Sequence, residues 1–471
     1  MAVRRGVLWN SDGEIDLVPQ VHRVDLDGLE EFVELVGLQI LRLLEQGHLD
    51  LAREVRTRRG SGNGCSFHFQ FFGAKTIFLE DYSVLTIPEA SSRPGFWLGL
   101  TRLESDVPRI VAQAVQLAEI PSPTGAEEAR AAAVQDLFTE ALGMARIDQA
   151  GNVAAVLAGA SGRPGTVILA PLDSWYESIK QPHIQVRRDR LTGPGIAGQS
   201  IALAVQVALA RTLRERPVQG LGDIWFVATV GSEMSGDLRG ICHLFPWLPT
   251  VANRVICLQG PGLGRLDHWS VGTYRGELAV WAPGGHCWRD AGRPNALRLA
   301  MDFSRQMESA HKPGFPRTLY NPAQLESGDA WNTLPSKAVL RFELRSDGED
   351  ELQNFIREAQ STASNLCKGL SGCRAELSQK GFRHATGLYL DHPLVIGTRE
   401  AQSWAGLVPR LGASSSDASV CLHYGIASVT IGLASVVGLE TQMESLYLDS
   451  LPVGLRQAYA VLVQVAGRNA S

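Results

Sequence analysis

Thr166–Tyr176 (TVILAPLDSWY), Ile201–Arg214 (IALAVQVALARTLR) and Asp223–Thr229 (DIWFVAT) together read as strand, helix and strand. The first segment opens with five apolar or β-branched residues and then stops at Pro171, so Thr166–Ala170 reads as a buried strand followed by a loop. Ile201–Arg214 is too long for a strand and reads as a core helix; Asp223–Thr229 returns to a strand. Working outward, helices are expected at Val107–Leu117, Ala126–Leu142 and near Leu238–Phe245, with strands at Asn152–Leu157 and Arg254–Leu258. Glu127 and Glu128 open the second helix, where acids are favoured. Alternation of this kind predicts a mostly parallel sheet covered on both faces, with ligands bound beyond the carboxyl ends of its strands.

The alternation breaks between about residues 270 and 384. Tyr274–Trp281 and Ala338–Arg345 read as strands, Ala296–Met307 and Glu349–Leu366 as helices, and Arg374–Gln379 as a further strand of a small antiparallel sheet. The α/β pattern resumes at His392 and continues through Ala427–Leu433 to a helix at Leu455–Val465. The expected organisation is α/β, with residues 107–270 and 390–471 forming one domain and residues 271–389 a lid inserted into it. Residues 1–102 form an N-terminal extension of unassigned role, with a helix expected at Leu29–Leu51 and strands at Ser66–Phe72 and Thr76–Leu85.

A chain of 471 residues is long enough for two or three cores, and 45% hydrophobic content suits a globular fold. A net charge of −5 with dispersed basic residues gives no footprint for nucleic acid. No apolar stretch of signal length follows the first residues, and the run from Ile201 reads as too short to span a bilayer, so a cytoplasmic protein without membrane contact is expected. Seven scattered cysteines suit a reducing compartment.

Six further motifs carry polar residues. They are LAPLDSWY at Leu169–Tyr176, LTGPGIAGQS at Leu191–Ser200, ATVGSEMSGDLRG at Ala228–Gly240, PGGHCWRDAGRPNA at Pro283–Ala296, GDAWNTLP at Gly328–Pro335 and SSSDAS at Ser414–Ser419. In this order they resemble the zinc-dependent M20 metallopeptidases and aminoacylases, a group that includes glutamate carboxypeptidases, dipeptidases and desuccinylases. The resemblance covers about residues 107–467. It implies a zinc-exopeptidase-like domain interrupted by a lid that forms a homodimer contact.

The resemblance also implies a dinuclear metal site, and here the chain departs from the pattern. Pro171 stands where a histidine ligand is expected, Gly198 where an aspartate bridges the metals, and Gln259 where an acidic ligand is expected. Ser232 replaces the general-base glutamate, Glu233 keeps the adjacent acidic ligand, and Glu440 takes the place of a late histidine. Proline and glycine side chains offer no lone pair, so the expectation is no cofactor and a metal-free pocket; a hard cation on Asp173, Glu233 and Glu440 is the alternative occupant.

The candidate catalytic residues are therefore Asp173, Glu233 and His286, and the candidate substrate-binding residues are Asn332, Arg345, Asp417 and Glu440. By the resemblance, His286 is an oxyanion donor, Asn332 a substrate-binding amide and Arg345 a carboxylate clamp, a role suited to its fixed fork of donors. Asp417 reads first as a helix cap, and Asp237 with Arg239 as a pair opening a helix. Two functions follow. One is an atypical amidohydrolase acting on an amide-linked or amino-acid-like carboxylate without dinuclear zinc. The other is an inactive homologue serving as a binding or assembly protein, paired with an active relative.

Overall fold

A computed structural model of the chain describes residues 89–159, 165–176, 179, 181–234, 236–310, 314 and 316–467, together with the strands Arg5–Trp9, Ile15–Pro19, Ala52–Arg59 and Cys65–Phe71. Those four strands form one antiparallel sheet. The helix expected at Leu29–Leu51 and the strand expected at Thr76–Leu85 lie outside the described residues.

Ile224–Thr229, Gly165–Pro171, Ala252–Pro261 and Ala427–Ala434 run parallel as the centre of a nine-stranded sheet. Antiparallel strands extend it on both sides, Val153–Leu157 beside Ile224–Thr229 and Arg265–Ser270 beside Ala427–Ala434. Successive residues of these strands point to opposite faces, and both faces are buried. Ile168, Ala170, Phe226, Ala228, Ile256 and Leu258 pack into one core with the helices Ile201–Glu215 and Leu451–Ala466. Val167, Leu169, Val227, Val255 and Cys257 face the other way, onto Leu238, Ile241, Leu244 and Cys421.

The continuous helical stretch Ile196–Glu215 is long and apolar enough to cross a bilayer, unlike the shorter run expected from sequence. Its apolar window is 94% buried by the rest of the chain, which makes it the central core helix. The helix Phe96–Ser105, assigned from sequence largely to the N-terminal extension, packs into this same core through Phe96, Leu100 and Leu103.

A second, antiparallel sheet has the order Thr318–Ser327, Lys337–Ser346, Gly272–Trp281, Arg374–Arg383. One face is apolar: Tyr274, Leu278, Val280, Leu340, Phe342 and Leu344 pack on the helices Ala296–Ala310 and Glu349–Asn365. Along its two middle strands the opposite face carries Thr273, Arg275, Glu277, Arg341, Glu343 and Arg345, as strand alternation requires. The edge strand Thr318–Ser327 was not anticipated from sequence. It holds Pro322, its residues are almost all exposed, and so it shows no buried alternation.

Candidate functional site

The central parallel strands end together, and the polar motifs that follow Thr229 and Pro171 meet the end of the strand Ala252–Pro261 in one place. A small cavity there is lined by residues that include Pro171, Ser232, Glu233, Gln259, Ser415 and Asp417. This is the position that strand topology assigns to a ligand.

Asp173 is fully buried and already engaged. Its Oδ1 accepts the Ser232 N–H at 3.0 Å, and its Oδ2 accepts the Glu233 N–H and the Thr124 hydroxyl, both at 2.8 Å. Burial raises its pKa, and those three donors oppose the rise. The segment that presents it is fixed from behind by Arg130, whose guanidinium donates to the carbonyls of Leu172 and Ile120 and to the Ser174 hydroxyl.

Glu233 is half-buried, with its pKa pushed up to about 7 by burial and then by the neighbouring Asp173 carboxylate. Gln199 Nε2 donates to its Oε1 at 2.9 Å and opposes the shift. The adjoining loop is strained: Met234, Asp237 and Leu238 have φ values of 43°, 48° and 61°. Left-handed backbone at non-glycine residues is costly and collects at functional sites.

Asp417 precedes the helix Ala418–His423 without capping it through its side chain. That corrects the cap reading. Its carboxylate instead accepts the Thr229 hydroxyl at 2.5 Å and the Ser232 hydroxyl at 3.0 Å, and burial pushes its pKa to about 6 against those two donors. The Asp237–Arg239 pair is also corrected. Arg239 pairs with Glu127 at 2.7 Å, while Asp237 faces Arg383 of the smaller sheet, its Oδ1 at 3.9 Å from Nε.

Glu440 is exposed, at φ 59°, and its charge contributes to the raised pKa of Glu233. The buried carboxylate of that segment is Glu444, which sequence reading missed. It accepts the Ala197 N–H at 3.1 Å and the Trp175 indole N–H at 3.2 Å, tying the late loop to two earlier motifs. Burial raises its pKa. The string GLETQMES offers two glutamates, and only the tertiary contact distinguishes them.

The structure thus brings Asp173, Glu233 and Asp417 together, with Glu440 nearby. His286, Asn332 and Arg345 do not line the same cavity. His286 and Asn332 meet each other, with Asn332 Nδ2 at 3.5 Å from His286 Nε2, on the short paired strands Gly285–His286 and Thr333–Leu334. His286 Nδ1 accepts the Trp288 N–H at 3.2 Å. Arg345 Nε pairs with Glu343 Oε1 at 2.5 Å, leaving the guanidinium partly exposed on the open sheet face.

Residues 288–370 match the peptidase dimerisation domain family. No curated protein sequence matches the chain. Among solved structures, a tripeptidase from Staphylococcus aureus is similar at 17% identity and a TM-score of 0.65, covering 77% of this chain and 99% of that one. Human carnosine dipeptidase 1 is similar at 11% identity and a TM-score of 0.62, covering 79% and 100%. A dinuclear metal-binding peptidase of the M20 family from Bacillus subtilis is similar at 15% identity and a TM-score of 0.56, covering 77% and 99%. Likeness at these identities establishes the shared fold.

Proposed function

We propose that this chain, which has the M20-peptidase fold and carries a peptidase dimerisation domain, binds an amide-bearing carboxylate in its cleft and transfers a proton there through Glu233, without dinuclear zinc. The observation that carries this reading is Glu233 itself. It lines the cavity at the strand ends with a pKa near 7, the value at which a carboxyl group both takes and returns a proton at neutral pH.

The donor set does not fit a zinc pair. Pro171 and Gln259 line the cavity where ligands are expected, and Gly198 has no side chain to bridge two metals although a Cβ there would meet nothing within 4 Å. Asp173 spends both oxygens on backbone and hydroxyl donors. Among the described residues no three His, Cys, Asp or Glu side chains are grouped to hold a metal.

Gln199 holds one Glu233 oxygen, which leaves the second to face a water or an amide nitrogen. Ionised Glu233 takes a proton from attacking water and, once protonated, returns it to the departing nitrogen. Asp173 positions the Glu233 backbone N–H, and Arg345 supplies a guanidinium for the substrate carboxylate. In this reading residues 107–270 and 390–471 form the amidohydrolase-like domain and residues 271–389 the lid.

The lid also forms a homodimer contact. Support comes from the edge strand Thr318–Ser327 with exposed Leu319 and Leu325, the neighbouring exposed Met301, and the exposed Trp288 and Trp331 beside His286 and Asn332.

A second reading, a binding protein without turnover, is favoured by Ser232, whose hydroxyl donates to Asp417 and supplies no base. The test is a panel of N-acyl amino acids and dipeptides incubated with and without a chelator, with cleavage followed by mass spectrometry. Cleavage that survives the chelator and is lost in Glu233→Gln is expected. Cleavage only on addition of zinc, or an equally active Glu233→Gln, overturns the proposal; binding without cleavage selects the second reading.

A further inference from the structure

The strand Arg374–Arg383 changes faces partway along. Leu377 pairs with Leu278 and Ala375 with Val280, so its first odd-numbered residues lie on the apolar side of the lid. Between Arg275 and Gly276 the register shifts: Gly276 pairs with Gln379, but Arg275 pairs with Gly381 and Thr273 with Arg383. Lys380 is the extra residue of this bulge. Without it Arg383 would point into the lid core; with it, Arg383 joins Thr273 and Arg345 in one row on the open face. Bulges re-aim side chains in this way beside functional sites.

The re-aimed guanidinium is only 7% exposed. Its Nη1 donates to Ser415 Oγ at 2.5 Å, and Ser415 lines the cavity that Glu233 and Asp417 line. Among the described residues neither Nε nor Nη2 has a hydrogen-bond partner. The nearest ion-pair partner of Nε, Asp237 Oδ1, stands at 3.9 Å, beyond hydrogen-bonding distance, and the Asp237 carboxylate accepts the Phe382 N–H. Asp417 accepts hydroxyls from Thr229 and Ser232. A buried guanidinium with three of its five donors unused is an expensive arrangement unless an anion completes it.

The unused pair identifies that anion. Nε and Nη2 form the side-on edge of an arginine, two parallel N–H groups that match the two oxygens of a carboxylate. Arg345 lies in the same row, across the strand Gly272–Trp281, so the two Cα positions are about 10 Å apart by strand spacing. Two long side chains at that separation can reach two carboxylates of one small molecule.

We propose that the Nε and Nη2 edge of Arg383 is a second carboxylate-binding position of the cleft, so that its substrate carries two carboxylates, one held by Arg345 and the other by Arg383. This rests on the reading of the cleft as an amide and carboxylate site and adds a charge requirement to it. The bulge at Lys380 makes the position, and the Ser415 hydroxyl sets the plane of the guanidinium.

Calorimetry on the full chain with N-acetyl-L-glutamate and N-acetyl-L-glutamine tests it, because the two compounds share shape and differ in one carboxylate. The diacid is expected to bind about tenfold tighter or more. Arg383→Gln brings the ratio to about one, and Ser415→Ala lowers it partway. Arg345→Gln weakens both compounds. If Arg383→Gln does not fold, Arg383→Lys keeps the charge without the fork and is expected to reduce the preference. Equal wild-type affinities, or a preference that survives in Arg383→Gln, overturn the Arg383 assignment and leave Arg345 as the carboxylate clamp. Failure of the wild type to bind either compound at millimolar concentration overturns this inference and the carboxylate reading beneath it.

Discussion

Replacing Glu233 by glutamine makes the protein more stable at alkaline pH. The folded protein holds this carboxyl at a pKa of about 7, against an ordinary value of 4.5, because burial and Asp173 disfavour its charge. A raised acid pKa means that the folded state keeps a proton the unfolded chain has lost. Stability associated with Glu233 is therefore full below about pH 4.5, falls as pH rises towards 7, and levels off above. From 4.5 to about 7, at about 1.4 kcal/mol for each pH unit, the difference comes to roughly 3.5 kcal/mol. Glu233 is half-buried, and screening by solvent brings the expected effect to about 1–3 kcal/mol. Glutamine keeps the shape and a hydrogen-bonding oxygen for Gln199 but never ionises. Urea unfolding followed by tryptophan fluorescence should give nearly equal stabilities for wild type and Glu233→Gln at pH 4.5, and a more stable variant by about 1–3 kcal/mol at pH 8.5. A difference independent of pH, or a wild type more stable at pH 8.5, refutes the assignment of a desolvated carboxyl at this position.

Further outcomes follow from other buried groups. Arg130→Met removes the guanidinium that joins the Leu172 and Ile120 carbonyls to Ser174, and should cost about 3–5 kcal/mol in urea unfolding. Gly454→Ala places a methyl group 1.7 Å from the Leu433 carbonyl oxygen, so the helix Leu451–Ala466 must move off its strand; a loss of about 3 kcal/mol is expected by the same assay. Leu325→Lys puts a charge on the exposed edge strand of the lid and is expected to convert the proposed dimer to a monomer in light scattering. A monomeric wild type over the same concentration range contradicts that contact.

The fold was legible in sequence where burial demanded an apolar run or an alternation. Thr166–Ala170, Asp223–Thr229 and Ala427–Leu433 announced themselves as buried strands, and the observed elements differ from expectation by a residue or two. In the smaller sheet, Tyr274–Trp281 and Ala338–Arg345 alternate cleanly because one face packs and the other is open. Exposed Thr318–Ser327 carries no such signal, and Pro322 argues against a strand. Motif order placed Asp173, Glu233 and Asp417 at the strand ends, but it could not give their partners. The double acceptance by Asp417, the choice of Glu444 over Glu440 for burial, and Arg130 behind Asp173 all depend on residues far away in the chain. Arg383 was hidden for a different reason. A period read through Arg374–Gln379 points it to the wrong face, and one bulged residue reverses that result.

If the cleft handles its ligand without a zinc pair, elemental analysis of the full chain purified in the presence of added zinc shows it. Zinc well below one equivalent per chain, with ligand binding unchanged after chelator treatment, is the predicted result. Two tightly held zinc ions per chain, lost together with ligand binding on chelation, contradict it.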